Sequence, residues 1–388
     1  MFVTRGLRYF PPIRYEAQTL AERGWRVRIY TIGERGNAGD DTAAPPGVET
    51  RVLRLLTRAL PSGAALSLKY LELALRQMTA SLGEPADLYV AHDLDALPQA
   101  VAAARLRHAP VVYRAHELWT ERARVPGRRA WRMIERGLGA WVDLVVAPTH
   151  ERAQFLRDRC RLAQLPMVVM NCPPLRERVE RNRLAELMDQ AGHDVTGRRL
   201  VLYQGTVAAS RCILEIVSAS AYLPDDVQVV LMGVVDNKLR QALEGALLRS
   251  DGRAVLLPAI QPADVWPVVC SAQAGIALYR PDCLNNRLCA PNKVFEYMMA
   301  GVPVIGSRNP SLEPLIERND IGTLVDPEDP ADIAAGIMRL LGRSDQRELR
   351  ERAISAAAGR YNWSAQVEPL LEAYLRLASR DAGPRPRS

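Results

Sequence analysis

The chain has 388 residues, 48% of them hydrophobic, and a net charge of +7. That length accommodates two domains with sizeable cores. The moderate basicity fits an anionic ligand or an anionic membrane surface. No helix-turn-helix, zinc-finger or aromatic RNA-binding pattern supports a nucleic-acid partner. The six cysteines form no Cys-x-x-Cys pair, and no histidine cluster accompanies them. A metal centre or disulfide framework is therefore not expected, and free thiols in a cytoplasmic protein are. Arg5, Arg8 and Arg14 interrupt any signal-peptide core, and no apolar run reaches membrane-spanning length.

In chain order, Phe2-Val-Thr-Arg-Gly6 reads as a first strand entering a turn, with Gly6 opening the strand-to-helix loop. It is short for that role, as expected of a start set inside the gene. Residues 14–23 read as a helix ending at Gly24, followed by a strand over Trp25–Thr31. Val48–Leu55 is a further strand. Residues 64–82 form an amphipathic helix with Leu66, Tyr70, Leu73 and Leu75 on its apolar side. Strands at Leu88–Ala91, Val111–Tyr113, Leu144–Ala147 and Met167–Met170 follow, each leading to polar residues. Strands alternating with helices predict a parallel sheet with functional residues at strand C-terminal ends. Residues 179–198, after Pro173-Pro174 and containing a charged helix, read as a linker. A second alternating series runs through Leu200–Gly205, Val229–Gly233, Ala254–Leu257, Gly275–Leu278, Val302–Ile305 and Gly322–Val325. Helices at 331–342, 345–359 and 363–378 close the chain, and 380–388 is expected to be a disordered tail.

The stretch 291–306 carries the most information. Pro291 and Asn292 suit a helix start and Gly301 a C-cap, while Pro303 fits only near the start of the following strand. Val294, Phe295, Met298 and Met299 make that helix largely buried, with Lys293 and Glu296 as its charges. Of 51 basic residues only Lys69, Lys238 and Lys293 are lysine, which sets Lys293 apart. An ammonium beside a helix N-terminus is a good anion site, and Glu296, one turn on, suits a ribose diol. The plain alternative is an i,i+3 ion pair on a solvated face, worth only ~0.2–0.5 kcal/mol.

This stretch, with Gly301-Val-Pro-Val-Ile305, Gly322-Thr-Leu-Val-Asp-Pro and Ala331-Asp-Ile-Ala-Ala-Gly-Ile, resembles the nucleotide-sugar signature of GT-B glycosyltransferases of the family 4, or group 1, type. Arg14-x2-Ala-x2-Leu-Ala-x2-Gly-x2-Val resembles that family's first β-α-β unit. The resemblance implies an α/β GT-B fold, two Rossmann-like domains whose parallel sheets face a central cleft. It divides the chain into an acceptor-side domain (1–178), a linker (179–198), a nucleotide-sugar domain (199–362) and a helix (363–379) returning to the first domain. Domain closure would then exclude water and bring an acceptor hydroxyl to the anomeric carbon.

By the same resemblance, Gly6, Gly205, Arg211, Asn292, Lys293 and Glu296 bind the donor. Arg211 stands where relatives usually carry Lys, and Thr206 replaces an earlier basic residue of that loop. Arg211 otherwise reads as a surface arginine. Leu288 stands where many relatives place a carboxylate against the transferred sugar, so Asn285, Asn286 or Asn292 are the polar substitutes. A subgroup with Pro-x-Lys-x-x-Glu-Tyr shares this departure. His116 resembles the first-domain histidine that faces the donor sugar, and its alternative is a capping or wall residue. Glu117 is an acceptor-side group or a helix-start carboxylate, and His92-Asp93 is a weaker candidate at the neighbouring strand end. Asp93-Leu-Asp95 reads as a helix start rather than a metal-binding pair.

Six Arg and two Glu over 121–136, interleaved with Trp119, Trp131 and Trp141, fit either a membrane-facing patch or a solvated Arg face. The expected activity is transfer of a sugar from a UDP-linked donor to a carbohydrate or lipid-linked acceptor, with retention. It would need no cofactor, no metal and no nucleic acid, and would take place in the cytoplasm or at the inner face of the cell membrane. The rivals are a nucleotide-sugar epimerase of the same fold and a non-catalytic partner subunit. No Gly-x-Gly-x-x-Gly follows either first strand, which disfavours a nicotinamide dehydrogenase.

Overall fold

The computed structural model describes residues 1–4, 11–32, 45–60 and 66–379, which divide into two units. The first holds the chain to Asn171 together with residues from Gln366 onward, and the second holds Cys172–Ala365.

The first unit alternates α1 (Pro11–Glu22), β1 (Val27–Ile32), β2 (Val48–Leu53), α2 (Leu66–Leu82), β3 (Tyr89–His92), α3 (Leu97–Leu106), β4 (Val111–Arg114), α4 (Arg128–Gly139), β5 (Leu144–Ala147), α5 (His150–Cys160) and β6 (Met167–Val168). All pairings are parallel: β1 with β2, and β3-β4-β5-β6 in order. Phe2 joins these two ladders by bridging both Tyr30 and Ala91. Its N–H donates to Val90 O at 2.8 Å and its carbonyl accepts from His92 N at 3.1 Å. The expected first strand is therefore present as a short central segment, while Gly6 lies outside the described residues.

One expectation about this unit is corrected. The inner line of α2 is Leu73, Gln77 and Ser81, and Leu75 is exposed along with Leu68 and Leu71. Gln77 is buried because its Nε2 donates to both Val3 O and Tyr30 O, so the helix is positioned by a satisfied polar group as well as by leucines. Asp93 does open a short 3₁₀ turn, but its side chain makes no capping bond there.

The second unit contains α6 (Arg183–Gln190), β7 (Arg199–Gln204), α7 (Ile213–Ala219), β8 (Val227–Met232), α8 (Arg240–Arg249), β9 (Ala254–Leu257), α9 (Pro262–Cys270), β10 (Ala274–Ala277), α10 (Leu284–Arg287), α11 (Asn292–Met299), β11 (Val304–Ser307), α12 (Glu313–Asn319), β12 (Gly322–Val325), α13 (Pro330–Leu341), α14 (Gln346–Gly359) and α15 (Trp363–Ala378), whose greater part belongs to the first unit. Its strands order as β12-β11-β10-β7-β8-β9, all parallel. Helices cover both faces of such a sheet, so every residue of β8 is buried and its sequence is a continuous apolar run broken only by Gln228. The order reverses between β7 and β10, which is where doubly wound sheets open a ligand crevice.

The stretch read as a linker is folded into this second unit. Leu184 and Met188 of α6 are buried, and Leu184 N donates to Ser271 Oγ at 3.0 Å. The first unit accordingly ends at Asn171 rather than at 178. Within α15, Gln366 Oε1 accepts from Met170 N and Tyr374 OH donates to Glu16 Oε1, both inside the first unit. Among the described residues no helix is long and apolar enough to cross a membrane.

Candidate active site

The end of β7 is built around close backbone approach. Gly205 has φ +120° and Gly233, after β8, has φ +150°. A Cβ on Gly233 would lie 1.8 Å from Gly205 O, and one on Gly205 would lie 2.8 Å from Lys293 Cε. Only glycine fits either place. Lys293 comes to this turn because α11 is pinned to the sheet. Tyr297 OH donates to Leu202 O at 3.0 Å, and the Tyr297 ring fills the space where Gly275 has no side chain.

The Lys293 ammonium sits 5.2 Å from the Tyr203 ring centre and 5.8 Å from that of Tyr279. The Arg211 guanidinium lies over the Tyr279 ring, 3.7 Å from its centroid. Its 3₁₀ turn (residues 209–211) is tied to the exit of β10, since Arg280 N donates to Ser210 O and the Arg280 guanidinium pairs with Glu215 and Glu328. Among the described residues neither Lys293 nor Arg211 forms an ion pair with a carboxylate. The i,i+3 pair of Lys293 with Glu296 is thus not made. Burial and the like charge of Arg211 push the Lys293 ammonium down to about 8, with Glu296 opposing. Two neighbouring cations lie on aromatic faces, beside a helix N-terminus capped by no side chain, an arrangement whose chemistry suits an anion.

Glu296 is held one turn along α11. Gln204 Nε2 donates to its Oε2 at 2.5 Å. Burial raises the Glu296 carboxyl above the usual carboxylate range, opposed by Lys293 and by the Gln204 bond. Asn292 opens the same helix and is half-buried. Asn286, one of the substitutes for the missing carboxylate at Leu288, is committed locally, with Nδ2 donating to Asp282 Oδ1 at 3.0 Å.

In the first unit the ends of β3 and β4 bring a second polar group together. His92 Nδ1 and His116 Nε2 are 3.0 Å apart, and His116 Nδ1 lies 3.4 Å from Asn171 Oδ1. Arg152 Nη1 donates to His116 O at 2.6 Å. Glu117 N donates to Asp93 Oδ1 at 3.1 Å, while the Glu117 carboxylate is 3.5 Å from Arg122 Nε. Burial, His116 and Arg114 together hold His92 well below the usual histidine range, so it is neutral.

Gly205, Arg211, Asn292, Lys293 and Glu296 therefore belong to one loop-and-helix group, and His116 and Glu117 to one strand end. Sequence reading missed Tyr203, Gln204 and Tyr279. Their signal was position alone: each lies at or just beyond the C-terminal end of β7 or β10, the two strands that flank the reversal in sheet order.

Residues 13–171 match the glycosyl transferase 4-like domain, and residues 198–343 match the glycosyl transferases group 1 family. The chain belongs to the group 1 glycosyltransferases. This glycosyltransferase is 25% identical over 256 residues to a phosphatidyl-myo-inositol mannosyltransferase of Mycobacterium leprae. The match covers 61% of this chain and 62% of that protein, less than two thirds of its length. Among solved structures, Anabaena HepE in complex with UDP superposes with a TM-score of 0.76 at 15% identity, over 97% of this chain and 99% of that one. Sucrose-phosphate synthase from Thermosynechococcus elongatus gives a TM-score of 0.74 at 20% identity, over 94% and 92%. Those likenesses establish the GT-B fold for this glycosyltransferase.

Proposed function

We propose that the protein transfers a sugar from a UDP-linked donor to a hydroxyl of a carbohydrate or lipid-linked acceptor. The observation that carries this reading is the pair of cations, Arg211 and Lys293, gathered at Tyr279 with no carboxylate partner among the described residues. In it the diphosphate lies on the Gly205 turn, Arg211, Lys293 and the start of α11, and Glu296 takes the ribose diol. These groups stabilise the leaving diphosphate, so that charge development at the departing oxygen needs no metal. His116 and Glu117 belong to the sugar and acceptor side, and the anomeric configuration is retained. Support for the donor class comes from Anabaena HepE, solved with UDP, with UDP and glucose, and with UDP-glucose.

A lipid-linked acceptor at an anionic membrane is supported by the outer surface of the first unit. There α4 exposes Arg129, Met133 and Arg136, and α2 exposes Leu68 and Leu71. Tyr70 of α2 and Trp131 of α4 meet edge-on at 5.5 Å, so the two surfaces adjoin. Basic residues beside exposed apolar ones suit an anionic lipid surface. The name of the Mycobacterium leprae relative likewise joins mannosyl transfer to a phosphatidyl lipid.

The test is a thermal shift with UDP, GDP, ADP and CMP on the wild type and Glu296→Ala. A ligand at a hundred times its Kd adds ~2.7 kcal/mol of stability. UDP stabilising the wild type and much less the variant is the expected result. No shift with any nucleotide would favour a non-catalytic partner subunit, and donor conversion without an acceptor would favour an epimerase.

A further inference from the structure

The contact of His92 with His116 is well aimed. The two rings lie within 11° of parallel with centroids 5.3 Å apart. With Nδ1 and Nε2 at 3.0 Å, that separation is what an in-plane N–H···N bond along the lone-pair direction requires. One nitrogen must donate and the other accept.

The surroundings decide which. Were His116 the donor through Nε2, neutral His92 would carry its proton on Nε2, a buried atom with no partner among the described residues. His116 Nδ1 would then turn a lone pair toward Asn171 Oδ1. With His92 the donor through Nδ1, His116 accepts at Nε2 and its own Nδ1–H points to Asn171 Oδ1, so both observed contacts become hydrogen bonds. Only a bare acceptor is left unpaired on His92.

The backbone reinforces this arrangement. Asp93, next to His92, has φ 67° and ψ 169°, a region almost reserved for glycine, which costs ~1–3 kcal/mol. It is held there by Asp93 N donating to Arg114 O at 2.9 Å and by Glu117 N donating to the Asp93 carboxylate. Two successive residues of one strand end thus grip two successive residues of the next, side chain to side chain and carboxylate to backbone.

We infer that His92 is a positioning residue that fixes His116 as its Nδ1–H tautomer, with that N–H aimed at Asn171 and Nε2 occupied by the His92 N–H, so that His116 orients the sugar side of the site and does not act as a base through Nε2. This rests on the assignment of His116 to the sugar side of the site.

The experiment uses the full chain labelled with ¹⁵N-histidine, with the His116 signals assigned through His116→Gln. Long-range ¹H–¹⁵N spectra report the tautomer directly, whether or not any donor is turned over. Wild type is expected to show the Nδ1–H form. His92→Phe, which keeps the ring but removes the donor, is expected to mix the tautomers of His116. It should also lower kcat roughly tenfold, the equivalent of one hydrogen bond, with the donor KM nearly unchanged. His92→Asn places an N–H close to the Nδ1 position and is expected to restore both the tautomer and most of kcat. An unaltered His116 tautomer in His92→Phe would overturn the inference, as would an Nε2–H form in the wild type. If the tautomer behaves as expected but no donor is consumed, the positioning role stands and the transferase reading fails.

Discussion

The candidate polar groups of the two units are built on different electrostatic plans. In the first unit, the central buried carboxylate is matched by a cation of its own unit. The Glu16 carboxylate lies 2.8 Å from Arg114 Nε as an ion pair and accepts from Tyr374 OH at 2.7 Å, with Glu16 and Arg114 almost wholly buried. Gln99 donates to Gln77, and His92 and His116 are hydrogen-bonded to each other. In the second unit, Arg211 and Lys293 converge on tyrosine faces with no carboxylate partner among the described residues. The difference teaches that the buried charge of the first group is offset within the protein before any ligand arrives. The other carries an electrostatic debt that an anionic ligand would offset.

The largest effect should come from breaking the matched plan. Arg114→Met leaves Glu16 buried without its cation, and such truncations cost ~3–5 kcal/mol. Urea unfolding should show that loss, while UDP affinity of the folded protein stays near that of wild type. An unchanged urea midpoint would mean the pair contributes nothing to holding α1, β4 and α15 together.

Removing a cation from the other plan should do the reverse. Lys293→Met deletes a partly buried, unpaired ammonium, so unfolding stability should hold or rise. UDP binding should weaken by ~1.5–3 kcal/mol, the usual worth of a hydrogen bond to a charged group. Calorimetric titration checks this, and an affinity within twofold of wild type would take Lys293 out of the site.

The proton on Lys293 sharpens the same contrast. Its folded value, about 8, is below the ordinary 10.5. Between those values the unfolded chain binds more protons than the folded one, so Lys293 contributes a rise in stability with pH over that window. Anion binding runs the other way, because the ammonium is needed. UDP affinity should fall as pH passes from 7.5 to 9.5 in wild type, beyond whatever fall remains in Lys293→Met. Equal slopes in the two proteins would refute the assignment.

Much of this was legible in the residues, for reasons that separate local from non-local information. Lys293, Glu296 and Asn292 lie on one short helix, and Gly205 and Arg211 in one loop, so spacing alone groups them. The strand alternation likewise shows the parallel α/β plan. Partners that depend on strand order were not legible. Tyr279 meets Arg211 because β10 lies beside β7, and His92 meets His116 because β3 pairs with β4 in the register His92 to Arg114. The burial of Gln77 escaped a reading based on hydrophobic period, since its place is set by the carbonyls of Val3 and Tyr30. The segment 179–198 looked like a linker because its charges are frequent, yet two buried side chains, Leu184 and Met188, suffice to dock α6.

Tyr279 offers the finest probe of the unmatched plan, because it carries no charge of its own. Its ring supports the Arg211 guanidinium at 3.7 Å and lies within reach of Lys293. Cation–π contacts at such partly exposed sites are worth ~0.5–1 kcal/mol. Tyr279→Leu keeps an apolar wall but removes the π face, so Arg211 loses its platform while both cations remain. UDP affinity should drop about two- to fivefold, matching that energy, with unfolding stability little changed. The same substitution in an Arg211→Gln background should have less effect, because the ring then supports only Lys293. A Tyr279→Leu penalty that is undiminished without the guanidinium would mean that the ring acts on the nucleotide itself, and that Arg211 is positioned by the Arg280 clamp alone.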